Sequence, residues 1–151
     1  MSVAYDFAHS PATEFMARPQ HLLIDGRRVP ASSGRTFKSL NPATEQVIAI
    51  VAEGNEADVE HAVAAARRAF EGPWRTMRAS ERGQILLRWA DLLKQHSEEI
   101  IELESIDAGK PISATMRQDF PAAVDTLIYY AGWADKISGD VVPVRDDALT
   151  Y

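Results

Sequence analysis

The chain has 151 residues, of which 46% are hydrophobic and 25% charged, a composition typical of one soluble globular domain. Its net charge of −6 disfavours nucleic acids and anionic membrane surfaces as partners. It contains no cysteine, which excludes disulfides, cysteine-ligated zinc and a cysteine nucleophile within these residues.

Residues 1–20 mix serine, proline, alanine and histidine without any period, which predicts a mobile leader. This stretch does not show the basic segment followed by an apolar core that marks a secretory signal, and no apolar run reaches roughly 18 residues. We therefore expect no membrane span and a cytoplasmic location.

The next third of the chain predicts a small sheet of short strands. Residues 21–24 and 27–30 form a strand pair around an Asp25-Gly26 hairpin turn. Residues 36–40 predict another strand, which the Asn41-Pro42 turn closes. The β-branched run at 47–51 predicts a strand buried on both faces.

The chain then becomes helical. Asn55 is a good N-cap for a helix that Gly72-Pro73 ends, and four residues predict its buried stripe: Val59, Val63, Ala66 and Phe70. Ser80 can cap a second helix whose apolar stripe includes Leu86 and Trp89. A third helix starts at Ser97 and stops at Gly109-Lys110-Pro111.

The last helix, from Asp119 to Ile137, carries the richest aromatic cluster of the chain, Tyr129, Tyr130 and Trp133. Asp119 fits the N-cap, because its carboxylate can accept first-turn amide hydrogens, and Gly139 fits the stop. The small residues Ala131, Gly132 and Ala134 predict close approach by another backbone. Strands follow at 141–144 and from Ala148 onward; the second reaches the last residue, so a truncated protein is expected.

Motifs that carry chemistry are scarce. The eight glycines form neither a dinucleotide-binding nor a P-loop pattern, and the four histidines match no metal-ligand spacing. Asp107 stands out because a carboxylate near the C-terminal end of a helix is disfavoured by the helix dipole. Either a compensating group, such as a cation or backbone amides, or an ordinary turn residue accounts for it.

Taken together and in order, several segments resemble the N-terminal portion of the NAD(P)-dependent aldehyde dehydrogenase superfamily. The resemblance covers residues 21–151, and its most specific segment is Tyr129 to Lys136. The other matching segments are Ile24-Asp25-Gly26, Asn41-Pro42-Ala43-Thr44, Val51 to Gly54, Ala64 to Arg67 with Ala69-Phe70, Gly72-Pro73-Trp74, Glu81-Arg82 and Asp107 to Pro111.

The resemblance implies an α/β parent fold, of which this chain is a small N-terminal sheet, a helical block and the start of a β arm. It divides the chain into the leader (1–20), the N-terminal part of the cofactor-binding domain (21–138) and the start of an oligomerisation arm (139–151). The complete enzyme oxidises an aldehyde to a carboxylic acid with NAD or NADP, through a cysteine thiolate, and homo-oligomerises. Its catalytic and cofactor-binding residues all lie downstream of Tyr151, so none is assigned here and neither cofactor is expected to bind this chain alone.

Three features carry over from the resemblance. Ala122 and Trp133 match one wall of the substrate entrance, which the small Ala122 leaves roomy. The Asp107 carboxylate and the backbone carbonyls of Ser39 and Leu40 match a monovalent-cation site, a set of oxygen ligands suited to a hard cation. The stretch from Val141 to Tyr151 matches the beginning of the arm that pairs between subunits.

The hypothesis that the chain is an N-terminal fragment of an aldehyde dehydrogenase has two alternatives. One is a non-catalytic binding or regulatory module that pairs with a full-length relative, and the other is a non-functional truncated product. The fragment reading also predicts that helix faces built to cover a parallel sheet stay uncovered in this chain.

Overall fold

The computed structural model describes residues 10–145 and 147–151, apart from the side chains at 143 and 145. Its elements follow one another in this order: α1 (Pro11–Met16), β1 (Leu22–Ile24), β2 (Arg27–Val29), β3 (Thr36–Leu40), β4 (Val47–Ala52), α2 (Glu56–Glu71), α3 (Pro73–Thr76), α4 (Ala79–Gln95), α5 (Ser97–Ala108), α6 (Ile112–Ala114), a π turn (Thr115–Asp119), α7 (Phe120–Trp133), β5 (Val142–Arg145) and β6 (Ala148–Thr150). The helices at 56–71, 79–95, 97–108 and 120–133 confirm the predicted helical block.

The strands form three separate antiparallel hairpins, β1–β2, β3–β4 and β5–β6, rather than one sheet. In the first hairpin Asp25 and Gly26 both have positive φ, as a two-residue turn of this type requires. The prediction that residues 47–51 are buried on both faces is wrong. Val47 and Ile50 are exposed, whereas Ala49 and Ala52 are buried, so the residues of β4 are covered only in part. The strand pairs with β3 and is bridged by Gln20 at Val51.

Within the predicted mobile leader, Pro11–Met16 form a helix that the sequence did not predict. Ser10 caps α1 by accepting a hydrogen bond from the Thr13 amide. Ala12 and Met16 are buried in a cluster with Ala49 of β4 and Ile106 of α5. A helix of six residues is too short to show an apolar period in the sequence. The earlier part of the predicted leader lies outside the described residues.

Asn55 caps α2 as predicted, in a reciprocal box with Asp58. The Asp58 carboxylate is buried, and its oxygens accept hydrogen bonds from the backbone amides of Asn55 and Ser32, each 3.0 Å away. These bonds, led by that from Asn55, lower the pKa of Asp58 below its ordinary value despite desolvation. Asp58 thus joins the loop after β2 to the start of α2.

The predicted buried stripe of α2 is exposed, so that prediction is wrong. Val59, Val63 and Phe70 are 60%, 58% and 60% exposed, and Ala66 is exposed as well. The buried positions are Asp58 and Ala65 instead. The helix is amphipathic as its sequence indicates, but within the described residues no element packs against its apolar side.

Helices α4 and α7 pack closely, which confirms the predicted close approach at Ala131 and Ala134; the prediction is wrong for Gly132, which has nothing within 4 Å of an added Cβ. A Cβ placed on Gly83 of α4 would lie 2.9 Å from the Ala131 carbonyl oxygen. The α4 helix begins after Arg78, whose amide donates to Glu81, so Ser80 lies inside the first turn and is not the cap. Trp89 on α4 and Tyr130 on α7 are exposed, which extends the uncovered apolar surface.

Both predicted ends of the last helix are wrong. Asp119 has helical φ and ψ and its side chain caps nothing, because the chain is already helical from Ile112. The helix ends at Trp133, before Gly139 is reached. The π turn ends two residues before Pro121, whose ring would clash with the carbonyl four residues back in a regular α-helix.

Candidate functional site

The first candidate site lies where β3 meets the end of α5. The Ser39 hydroxyl donates a hydrogen bond of 3.1 Å to Oδ1 of Asp107, joining residues 68 positions apart. This hydrogen bond stabilises the Asp107 carboxylate in the last turn of α5, where the helix dipole disfavours negative charge. The structure therefore brings together two of the three residues predicted to hold a cation.

A glycine makes this approach sterically feasible. Gly109 ends α5 with φ 66°, and a Cβ added to it would lie 2.6 Å from Cγ of Pro42. Only glycine combines this left-handed C-cap with so close a contact to the Asn41-Pro42 turn. The packing of the turn on Gly109 places the end of β3 next to Asp107.

Leu40, the third predicted ligand, follows Ser39 at an irregularity in the β3–β4 ladder. The register changes from Ser39 opposite Ala49 to Leu40 opposite Val47, so one residue of β4 is extra. Such a bulge disrupts the regular hydrogen bonding of backbone carbonyls. Within the described residues no three acidic or histidine side chains form a metal-binding group, so any cation here depends on backbone carbonyls as well as Asp107.

The second candidate site is the exposed face of α7. Ala122 and Trp133 are eleven residues apart, so at about 100° per residue they share one face, about 16 Å apart along the axis. Both are exposed, Trp133 to 47%. The Trp133 ring lies 6.2 Å from that of Tyr129, which in turn contacts Tyr130 edge-on at 5.2 Å. The structure therefore places the two predicted entrance residues on one surface but not in contact.

Lys110 has a role that the sequence analysis did not identify. Its ammonium lies 2.7 Å from a carboxylate oxygen of Glu104 on α5 and 2.7 Å from one of Asp119 in the π turn. Its hydrogen bonds to Asp119 and then Glu104 raise the pKa of Lys110 above its ordinary value, so it stays cationic. The sequence shows Lys110 just after the Gly109 cap, but it does not show its partners, because the π turn is what brings Asp119 within reach.

Exposed apolar helix faces also occur in helices that span membranes. Within the described part of the chain, no helix combines the length and apolar character needed to cross a bilayer.

Comparisons with known proteins agree with this architecture. The model of the family described as "Aldehyde dehydrogenase family" matches residues 29–151. The chain belongs to the aldehyde dehydrogenase family. It is 51% identical over 123 residues to the mitochondrial benzaldehyde dehydrogenase of Antirrhinum majus, which covers 81% of this chain and 23% of that protein. It is 44% identical over 142 residues to the aldehyde dehydrogenase of Alternaria alternata, covering 94% of this chain and 29% of the relative.

The fold comparison gives the same result. The chain superposes on the NAD+ complex of aldehyde dehydrogenase from Bacillus cereus with a TM-score of 0.87 at 43% identity, covering 90% of this chain and 28% of that one. The chain thus has the fold of an N-terminal portion of an α/β aldehyde dehydrogenase, and it spans less than a third of the length of these relatives.

Proposed function

We propose that this chain supplies the N-terminal part of the cofactor-binding domain of an enzyme that oxidises an aldehyde to a carboxylic acid with NAD or NADP. The observation that carries the proposal is the family match over residues 29–151, with close structural agreement to an aldehyde dehydrogenase. The proteins it matches are aldehyde dehydrogenases, and nothing in them favours the regulatory-module or non-functional alternatives.

The contribution of this chain is the covering of a sheet. The apolar face of α2, defined by Val59, Val63 and Phe70, is more than half exposed, and so is Trp89 on α4. Burying a side chain of this size stabilises by about 1.5–3 kcal/mol, so these faces favour a partner surface strongly. In the complete enzyme that surface is the parallel sheet of the cofactor-binding domain.

The reacting groups lie on other residues of the complete enzyme. With no cysteine among the 151 residues, this chain offers no thiolate to attack an aldehyde. It also has no glycine-rich loop that would fit a dinucleotide pyrophosphate, so we assign none of its residues to NAD or NADP. Hydride acceptance is the chemistry that this cofactor supplies when bound.

A hybrid enzyme tests the proposal. This chain replaces the matching N-terminal portion of the Bacillus cereus aldehyde dehydrogenase, and NADH formation is followed with acetaldehyde and with longer aldehydes. We expect the hybrid to oxidise aldehyde, whereas this chain alone and the B. cereus remainder alone do not. A hybrid that folds cooperatively and binds NAD+ yet leaves every aldehyde unreacted would contradict the proposal.

We also propose that Ala122 and Trp133 form part of the aldehyde entrance. Both lie on the exposed face of α7, and the small side chain at Ala122 leaves room at the start of that face. In the hybrid, Ala122→Phe should raise KM for a bulky aldehyde several-fold more than for acetaldehyde. Ala123→Phe, on the next position round the helix, is the matched control; equal effects of the two substitutions would remove Ala122 from the entrance.

A monovalent cation at Asp107, with the carbonyls of Ser39 and Leu40, remains part of the proposal. The ladder irregularity at these residues and the carboxylate of Asp107 support it, since oxygen ligands suit hard cations. We expect K+ or Na+ to raise the melting temperature of the chain relative to a tetramethylammonium salt of equal ionic strength. Asp107→Asn should abolish that difference, whereas Asp135→Asn on the surface should not.

Two further proposals concern the setting of the protein. The side chains of the β5–β6 hairpin that the structure describes are exposed, which supports homo-oligomerisation of the complete enzyme through an arm formed by residues 139–151. Deletion of residues 139–151 from the hybrid should lower the number of subunits per assembly, measured as molar mass by light scattering. A cytoplasmic location is tested by imaging the tagged protein in its own cells.

A further inference from the structure

The helix that carries the proposed entrance changes its rotational phase at the π turn. The Phe120 amide donates to the carbonyl of Thr115, five residues back, so the turn holds one residue more than an α-helical turn. Each residue of an α-helix rotates the side chain by about 100°, so one extra residue rotates everything that follows by about that angle relative to what precedes it.

This rotation allows two buried contacts to coexist. Thr115 is 1% exposed, and its hydroxyl is within 3.1 Å of the Ser105 hydroxyl on α5. Val124 is 4% exposed, and its position seven residues before Ala131 puts it on the side of α7 that approaches Gly83 of α4. In a regular helix their separation of nine positions would place the two side chains about 180° apart, whereas the extra residue reduces this to about 80°.

The same rotation determines which residues of α7 face outward. Ala131 lies about 20° from Val124 around the helix, whereas Ala122 and Trp133 lie about 160° and 180° from it. The direction of the exposed face therefore depends on the π turn that precedes the helix.

Pro121 disfavours a regular helix here, but it does not select the π turn over a break. The sequence itself offers a break, in which Asp119 leaves the helical conformation and caps a new helix with its carboxylate. In the structure that carboxylate instead lies 2.7 Å from the Lys110 ammonium, and Asp119 has φ −69° and ψ −49°. Lys110 is itself held at 2.7 Å by Glu104 of α5.

We propose that Lys110 is a positioning residue that selects the π turn: by holding Asp119 against Glu104, it prevents Asp119 from capping a separate helix and so fixes the face of α7 that carries Ala122 and Trp133. The relevance of that face to an aldehyde entrance rests on the proposed function. The selection of the turn by Lys110 does not, because it is a property of this chain alone.

Thiol labelling tests the proposal with no background, because the natural sequence has no cysteine. Thr115→Cys and Val124→Cys are each introduced singly, and their reaction with an aromatic disulfide reagent is timed in the otherwise native chain and with Lys110→Met. We expect Lys110→Met to increase the labelling rate of the Thr115→Cys variant at least about tenfold. The thiol of the Val124→Cys variant should stay protected, because the contact of α7 with α4 does not need the turn.

Two variants separate positioning from general stability. Lys110→Arg keeps the cation between the carboxylates and should restore protection of the thiol introduced by Thr115→Cys. Lys136→Met removes an ion pair of 2.8 Å on the surface, with Asp135, and should leave both thiols protected. Unchanged rates with Lys110→Met would mean that Pro121 alone sets the turn, and equal increases at both positions would mean general unfolding; either result overturns the proposal. Neither readout involves turnover, so an inactive hybrid would not affect this test.

Discussion

Replacing Gly109 by alanine probes the junction that brings Ser39 to Asp107. Gly109 has φ 66°, and its added Cβ would meet the Pro42 ring at 2.6, 3.3 and 3.6 Å. The left-handed conformation costs an L-residue about 1–2 kcal/mol. The proline ring is stiff and cannot rotate away, so the overlap adds about 1–3 kcal/mol of overpacking.

Gly34 is the matched control for the conformational part of this cost. Its φ is 69°, almost that of Gly109, but nothing lies within 4 Å of its added Cβ. Gly34→Ala should therefore lower the free energy of unfolding by about 1–2 kcal/mol, and Gly109→Ala by about 2–5 kcal/mol. The difference between the two variants measures the contact with Pro42.

Urea unfolding followed by circular dichroism gives both free energies, provided that the two variants keep the slope of the native chain. Adding Ser39→Ala to each background then shows whether the hydrogen bond from Ser39 to Asp107 survives there. A background that has already lost this bond is destabilised less by the second substitution. Equal destabilisation by the two alanine substitutions would refute the close packing of the turn on the end of α5.

Three other outcomes follow from the structure. Gly83→Ala should destabilise the chain by about 1–3 kcal/mol, because its Cβ meets the Ala131 carbonyl at 2.9 Å. Gly132→Ala on the open side of α7 should stabilise it by about 0.5–1 kcal/mol. Shifts of the melting temperature in the same direction for both variants would contradict this packing. The lowered pKa of Asp58 gives stability that is present above its ordinary pKa of 3.8 and is lost as the pH falls through the lower folded value, so the unfolding free energies of the native chain and Asp58→Asn should converge in acid; a constant difference across the pH series would show that the charge does not matter. The exposed apolar faces should make the isolated chain bind ANS and self-associate, and a monodisperse monomer without dye binding in light scattering would show that they are covered.

The elements that sequence alone predicts correctly are those fixed by local chemistry. Asn55 starts α2 because its side chain bonds an amide three residues on, and Gly109 ends α5 because glycine adopts positive φ readily. The Asp25-Gly26 turn is local in the same way. The family resemblance also comes from such segments in order, and the family match over residues 29–151 confirms it.

Burial is less well predicted, because a periodic pattern shows that a face is apolar but not what covers it. The stripe of Val59, Val63 and Phe70 has helical spacing as predicted, but within the described residues nothing packs against it. The short α1 was missed for a related reason. Its six residues carry no long period, and its place is set by contacts of Ala12 and Met16 with β4 and α5.

Asp119 shows what only the tertiary structure decides. By sequence it is a good N-cap, and in isolation its carboxylate would find amide hydrogens in the next turn. In the folded chain the Lys110 ammonium competes for it from the end of α5, and the helix passes through Asp119 by way of a π turn. The Ser39–Asp107 pair is decided in the same way, by the packing of Pro42 on Gly109. Local hydrogen bonds are determined by neighbouring residues and can be predicted from the sequence. The choice between two partners of similar strength for one side chain depends on which partner the rest of the fold brings within reach.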